Sequence, residues 1–217
     1  MRRSDIFSVA ISNSMSWQLT KIIAARELLH QLGGWNSVVH NDKYSIKKAY
    51  KLLMGSFEKV EWSRLICNNK ASPKSKFTLW MVLQNRVPTA DRLSKWNIPY
   101  SIRCKLCEAE DESIQHLFFT CDYATTIWKA IHSKMHWEYQ ARSFCEEVRK
   151  VRIKARGQSC QARLYVRLFT EAVYAIWLQR NNKVFNDAVV PATELVKEII
   201  FRTACNCPEN ERTMLVD

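Results

Sequence analysis

The chain has 217 residues, enough for one ordinary domain or two small ones. Hydrophobic residues make up 47% of it and Trp occurs eight times, which excludes a disordered tail and indicates a buried core. The net charge of +12 favours polyanionic partners, namely DNA, RNA or an anionic membrane surface, with an ordinary basic soluble surface as the alternative. Only four Gly and five Pro leave few turns, so long helices are expected.

Cellular location follows from what the sequence lacks. No long apolar run follows Met1, so no signal peptide is predicted, and no apolar stretch approaches the length that spans a bilayer. We therefore expect a nuclear or cytoplasmic protein without a membrane partner. In those compartments thiols stay reduced, so closely spaced cysteines indicate metal binding rather than disulfides.

Helix-capping signals and apolar periodicity predict helices along most of the chain. Ser45, Ser72 and Thr89 stand at N-cap positions, Pro73 occupies a first helical position, and Gly55 ends a helix. The strongest apolar periodicity lies in the segment 161–185. The predicted helices cover residues 17–32, 46–54, 61–67, 73–84, 89–96, 111–118 or 113–118, 125–136, 161–185 and 194–203. A connection is predicted over 35–42, an extended step over 44–46 and a charged, partly helical segment over 141–160.

Four residues within eighteen positions have the types and the spacing of zinc ligands. Cys104, Cys107, His116 and Cys121 follow the pattern C-x2-C-x8-H-x4-C. The first pair places two sulfurs on one tight turn, and a His and a Cys near the end of a short helix can complete a tetrahedron. Because all four ligands come from protein, we predict one structural Zn²⁺, and the soft ligand set disfavours iron and copper. The alternative is that these cysteines are buried as small apolar groups, which His116 makes less attractive.

The other cysteines and histidines carry weaker signals. Cys205 and Cys207 form a C-x-C pair without a second pair or a histidine nearby, so a second metal site is not favoured and their role stays open. His132 and His136 have the i, i+4 spacing of metal ligands on a helix. They lack the Glu of a His-Glu-x-x-His motif, so we predict surface histidines.

Basic residues concentrate in the stretches 70–95 and 149–167, whereas the zinc segment is acidic. We predict that the two stretches bind phosphates, with ordinary solvated faces as the alternative. For the nearby aromatic residues Phe77, Trp80 and Trp96, helical spacing favours the core over a base-stacking surface. The candidate phosphate ligands are Lys70, Lys74, Lys76, Arg86, Arg92, Lys95, Arg149, Lys150, Arg152, Lys154 and Arg156, with Arg163 and Arg167 closing the second stretch.

Several motifs occur together and in order between residues 43 and 130. They are YSIKKAY at 44–50, PKSKFTLW at 73–80, NRVPT at 85–89, Leu93, the zinc-ligand pattern with Glu112 inside it, and Ile127-Trp128. In this combination the segment resembles the zinc-binding domain of reverse transcriptases from plant non-LTR (LINE-type) retrotransposons, with a weaker similarity at 176–182. The resemblance implies an accessory module that follows the polymerase and handles nucleic acid, with the same four zinc ligands.

Catalytic signatures are not recognisable in the chain. It contains no Asp-Asp dipeptide, as the Tyr-x-Asp-Asp centre of a polymerase requires, and no spaced carboxylates of the ribonuclease H type. It also lacks a nucleophile elbow and a phosphate loop. We therefore predict that the chain is not an enzyme but a retroelement fragment or a domain adopted by its host, between which the sequence does not choose.

Together these observations predict a mostly α protein. A small helical domain with a CCHC zinc knuckle is expected at residues 43–136, after a helical or irregular lead-in at 1–42 and before a C-terminal helical extension at 137–217. The predicted function is non-specific binding of RNA or DNA through basic surfaces, and the alternative is a protein-interaction scaffold with a purely structural zinc site. No small-molecule substrate is expected, and the sequence sets neither an RNA or DNA preference nor an oligomeric state.

Overall fold

The structure, a computed structural model, describes residues 9–12, 14–41, 43–56, 58, 60–96, 98, 101–140 and 143–216. These residues are mostly α-helical, as predicted, with a single two-stranded hairpin among them. The chain divides into two compact units, Met1–Lys59 and Val60–Asp217. Positions 1–8, 13 and 42 of the predicted lead-in lie outside the described residues.

The described part of the first unit contains three helices and an antiparallel hairpin. Ser45 caps helix α3 (Ile46–Met54) by accepting a hydrogen bond from the Lys48 amide at 3.3 Å, as predicted. The prediction of a connection over 35–42 is wrong for residues 35–40, because Val39 pairs with Tyr44 and Trp35 stacks on the Tyr44 ring. The elements are α1 (Trp17–Gln31), α2 (Trp35–Val38), β1 (Val39–His40), β2 (Lys43–Tyr44) and α3 (Ile46–Met54).

The second unit is built around one long central helix, α9 (Cys160–Asn186), which contacts most of the other helices of the unit. The predicted boundary at 136/137 falls between α7 (Asp122–Lys134) and α8 (Phe144–Lys154) inside this unit and stays a prediction. Among the described residues, no helix has both the length and the apolar character needed to cross a membrane. The elements are α4 (Ser63–Cys67), α5 (Pro73–Leu83), α6 (Ala90–Lys95), a π-helix (His116–Thr120), α7 (Asp122–Lys134), α8 (Phe144–Lys154), α9 (Cys160–Asn186), α10 (Ala192–Cys205) and α11 (Glu209–Val216), the last of which sequence patterns did not predict.

An aromatic cluster forms the centre of the core. The ring of Phe119, in the π-helix, stacks on Trp128 of α7 with 5.8 Å between centroids and lies 6.2 Å from Phe169 of α9. The Trp128 and Phe169 rings are 5.2 Å apart. Large aromatic side chains bury more apolar surface than any others, so this cluster makes a large contribution to stability. The zinc segment is therefore part of the main core and not a separate appendage.

Glu171 on α9 determines which face of α5 is buried. Its carboxylate accepts hydrogen bonds from the Ser72 amide at 3.0 Å and from the Ser75 hydroxyl at 2.8 Å, at the positive N-terminal end of α5. These bonds turn Ser75 and Leu79 inward. Phe77 consequently points outward and is 61% exposed, so the prediction that Phe77 lies in the core is wrong.

His132 is buried, which corrects the prediction of a surface histidine. Its Nδ1 lies 2.9 Å from the Trp128 carbonyl oxygen, and its Nε2 lies 3.2 Å from Lys150 Nζ. The Tyr165 ring also contacts it edge-on at 5.6 Å. His136, the other half of the pair, is exposed as predicted.

Candidate functional site

The four predicted zinc ligands lie around a common centre. Their ligand atoms are all within 4.8 Å of one another, with 3.9 Å between the sulfurs of Cys104 and Cys121 and 3.2 Å between Cys107 Sγ and His116 Nε2. Zinc–sulfur bonds of about 2.3 Å and zinc–nitrogen bonds of about 2.0 Å place tetrahedral ligands roughly 3.5–3.8 Å apart. Three thiols and one imidazole at these separations fit a single zinc ion.

A tight turn presents Cys104 and Cys107 from the same side. The Cys104 amide donates to the Glu110 carbonyl at 2.8 Å, and the Glu108 amide donates to the Cys104 carbonyl at the same distance. Glu108 adopts a left-handed conformation with φ +57°, which reverses the chain. The turn therefore supplies two ligands before the chain reaches the π-helix.

The π-helix brings the other two ligands together. His116 and Cys121 are five residues apart, and on an α-helix such residues point about 140° away from each other. Here the Cys121 amide donates to the His116 carbonyl at 2.8 Å, which is the wider i→i+5 turn of a π-helix. The wider turn rotates Cys121 toward the side of His116. The sequence spacing predicted a helix end at this place but not its π geometry.

Glu110 orients the imidazole of His116, a role that sequence reasoning missed. Its carboxylate Oε2 lies 3.0 Å from His116 Nδ1, on the side of the ring opposite Cys107. A carboxylate that holds one ring N–H fixes the tautomer and leaves the other nitrogen as a metal ligand. The signal available in the sequence was an acidic residue between the second Cys and the His.

The protonation of the buried thiols is unequal. The hydrogen bond from Cys121 lowers the pKa of Cys104 to about 5 against the opposing effect of burial, and the amides of Cys107 and Leu106 act in the same direction as that bond. The same sulfur–sulfur bond, together with burial, raises the pKa of Cys121. A bound Zn²⁺ takes both sulfurs as thiolates, so zinc binding releases protons from this pair.

The centre is closed to solvent on most sides. Cys104, Cys121 and His116 are buried, and Cys107 is partly buried. Four protein ligands and little solvent access are the features of a structural zinc site, whereas catalytic zinc keeps one position open. A bound zinc ion would cross-link the Cys104–Cys107 turn to the π-helix.

Comparison with known proteins agrees with this geometry. A family model described as zinc-binding in reverse transcriptase matches residues 44–128, which include all four ligands. Residues 44–128 are therefore similar to the zinc-binding domain of reverse transcriptases, as their motifs predicted. No curated protein and no solved structure matches the chain.

Glu112 connects the zinc segment to its surroundings. This carboxylate is fully buried, accepts a hydrogen bond from the Ala90 amide at the start of α6 and pairs with Arg180 of α9. Glu112 and Arg180 belong to motifs that carry the family resemblance, but their pairing was not predicted from the sequence. One acidic residue of the zinc segment thus links this segment to α6 and to α9.

The first basic stretch lies partly on an open surface. Lys70, Lys74, Arg86 and Lys95 are exposed, while Lys76 and Arg92 are partly buried. The Arg92 guanidinium donates to the Asn85 carbonyl and also lies over the Trp96 ring. All six candidates therefore reach solvent to some extent.

The second basic stretch is more heavily engaged within the protein. Arg149 and Arg156 are exposed, whereas the Lys150 ammonium lies against His132, Arg152 pairs with Glu61, and Lys154 lies over the Trp137 ring at 4.3 Å. Arg167 is buried and pairs with Glu211, so the prediction that it belongs to a phosphate surface is wrong. Arg163 also pairs with Glu211. The order of basic residues along the chain did not reveal these intramolecular partners.

The C-x-C pair near the C-terminus does not form a metal cluster within the described part of the chain. Cys205 is exposed, whereas Cys207 is buried with its sulfur 3.0 Å from an Arg167 guanidinium nitrogen. Burial raises the pKa of the Cys207 thiol. Its environment is that of a small core residue.

Proposed function

We propose that the chain is a non-catalytic, zinc-stabilised module that binds RNA or DNA with little sequence preference, and that it derives from a plant non-LTR retroelement. The reverse-transcriptase type of residues 44–128 and the closed zinc centre support an accessory role. The net charge of +12 supports a polyanionic partner. Zinc in this arrangement holds the fold, and other residues make the contacts.

The observation that carries the proposal is a basic cleft of about 340 Å³ in the second unit. It lies where the loop after α4 approaches the end of α8 and the starts of α9 and α11. Residues from both basic stretches meet there although they are more than eighty positions apart in the chain. Its cationic lining residues are Arg64, Lys70, Lys154 and Arg163, and its lining also includes the buried ion pair of Arg167 with Glu211.

Charge balance within the cleft favours phosphate. Glu211 already pairs with Arg163 and Arg167, so Arg64, Lys70 and Lys154 supply the additional positive charge. Contacts of Lys and Arg with phosphates release counterions, which makes binding steeply dependent on salt and largely independent of sequence. This is the behaviour expected of an accessory module.

Fluorescence anisotropy with labelled RNA and DNA across a salt series tests the proposal. We expect log K to fall linearly with log salt, and the double variant Arg64→Ala/Lys70→Ala to make the slope shallower by about 1.5. Both side chains are exposed, so the fold should survive. The charge-matched control is Lys183→Ala/Lys197→Ala. Lys183 of α9 pairs with Asp187, just after the end of that helix, and Lys197 pairs with Glu194 within α10. Binding indifferent to salt, or an equal effect of both double variants, would contradict the proposal.

A protein-interaction scaffold is the second candidate, and one observation favours it. Helix α3 leaves Ile46, Tyr50, Leu53 and Met54 exposed along one side, so this side of the helix presents apolar side chains to solvent. Exposed apolar faces of this kind are typical of protein-binding surfaces. The same salt series discriminates the two functions, because apolar docking depends little on ionic strength.

A further inference from the structure

An unexpected cluster of aromatic and cationic side chains lies on the surface of the second unit. Phe77 is 61% and Trp96 is 53% exposed, although large aromatic residues usually gain by burial. Phe77 packs against the partly buried Trp80 with 5.8 Å between ring centroids. A single exposed aromatic residue needs no explanation, but several in one place mark a binding surface.

Two arginine side chains lie over tryptophan rings of this cluster. The Arg86 guanidinium lies 5.9 Å from the Trp80 ring centroid, and the Arg92 guanidinium lies 5.3 Å from that of Trp96. Arg92 also donates to the carbonyl of Asn85, the residue before Arg86, so the two aromatic–arginine pairs are neighbours. We call Phe77, Trp80, Arg86, Arg92 and Trp96 the aromatic surface.

The chemistry of this surface favours one kind of ligand. Rings offer stacking platforms to any unstacked base, and guanidinium groups beside them offer contacts to phosphates. Exposed Lys74 and Lys95 flank the surface and add positive charge. A duplex keeps its bases stacked inside, so it can use the cations but not the rings. An apolar peptide could use the rings but would leave the cations unmatched.

We propose that the aromatic surface binds single-stranded nucleic acid by stacking unpaired bases on Phe77 and Trp96. This inference rests on the proposed nucleic-acid binding and specifies its substrate class. Phosphate contacts then provide the salt-dependent part of the affinity, and stacking provides a preference for single strands over duplexes of equal length.

Three labelled probes of equal length separate stacking from phosphate contacts. They are a single strand with bases, a single strand of abasic sites and a duplex, each measured by anisotropy with the zinc-loaded protein. The abasic strand keeps its phosphates and loses every ring. We expect the base-containing strand to bind at least about fivefold more tightly than the abasic strand for each base stacked.

Matched alanine variants assign the preference to the aromatic surface. Phe77→Ala and Trp96→Ala should each weaken binding of the base-containing strand about fivefold or more and leave the abasic strand and the duplex unchanged. Phe201→Ala is the control, because Phe201 is also an exposed aromatic residue but lies on α10. Circular dichroism and zinc content verify that the variants are folded.

The outcomes distinguish the two proposals. If all three probes bind equally and with salt dependence, or if Phe77→Ala behaves like Phe201→Ala, the stacking inference is overturned while phosphate binding stands. An aromatic surface that binds a protein instead would give the same result with oligonucleotides. If no probe binds even at low salt, the proposed function fails and the stacking inference fails with it.

Discussion

Glu112 and Arg180 form a buried ion pair between the zinc segment and the central helix. Arg180 Nη2 lies 2.7 Å from Glu112 Oε1, and Arg180 Nε lies 3.0 Å from Oε2, with side-chain exposures of 4% for Arg180 and 0% for Glu112. The Ala90 amide donates to the same carboxylate at 2.8 Å. One carboxylate thus joins the segment between two zinc ligands to α9 and to the start of α6.

Removal of either partner should destabilise the protein strongly. Arg180→Met would leave Glu112 buried without its cation, and we expect a loss of about 3–5 kcal/mol in the free energy of unfolding. Urea unfolding of the zinc-loaded protein measures this. Lys197→Met, which breaks the exposed Glu194–Lys197 pair, is the control and should cost under about 1 kcal/mol. Equal urea-unfolding midpoints for the two variants would show that the buried pair does not stabilise the protein.

Glu110 should tune zinc affinity without being a ligand. Glu110→Gln removes the carboxylate from His116 Nδ1, and we expect zinc affinity to fall about 10–100-fold because the imidazole loses its orienting partner. Competition with a chromogenic chelator measures the change. Asp111→Asn, which alters the neighbouring exposed pair with Arg103, should leave affinity unchanged. Identical chelator curves for both variants and the parent would remove Glu110 from this role.

Loss of one ligand should unfold the second unit. In Cys107→Ser the three remaining ligands should bind zinc too weakly to compensate for the free-energy cost of folding. Structural zinc contributes about 10–16 kcal/mol to folding in small zinc-binding domains. We expect low zinc content and reduced helical circular dichroism. Cys145→Ser, at an exposed cysteine of α8, should keep both at the parent level. A Cys107→Ser protein that retains stoichiometric zinc would exclude Cys107 from the ligand set.

Thiol alkylation should separate the eight cysteines into classes. Exposed Cys67, Cys145 and Cys205 should react with iodoacetamide at pH 8, whereas Cys207 should react slowly because burial raises its pKa and blocks access. Mass spectrometry locates the modified residues. A chelator added beforehand should expose Cys104, Cys107 and Cys121 to the reagent. Rapid modification of Cys207 in the zinc-loaded protein would place it outside the core.

Local signals in the sequence were sufficient for the helix ends and for the metal ligands. Ser45, Ser72 and Pro73 act within one turn of their own helix, so their role can be recognised without knowledge of the fold. The Cys104–Cys107 turn is equally local, and the ligand atoms come together as the spacing predicted.

Burial could not be predicted in the same way, because it depends on partners far along the chain. The inward face of α5 is set by Glu171, almost a hundred residues away, which draws in Ser75 and leaves Phe77 outside. His132 is buried because Lys150 and the aromatic residues of later segments surround it. Arg167 lies in a basic stretch that predicts a surface cation, but it is buried in an ion pair with Glu211. Periodicity identifies a face but not the direction in which it points.

X-ray absorption at the zinc edge tests the central claim most directly. Purified protein should contain one zinc ion per chain, with three sulfur neighbours at about 2.3 Å and one nitrogen neighbour at about 2.0 Å. Such a shell is what Cys104, Cys107, Cys121 and His116 provide. A protein that folds without zinc, or a shell dominated by oxygen and nitrogen, would contradict the account.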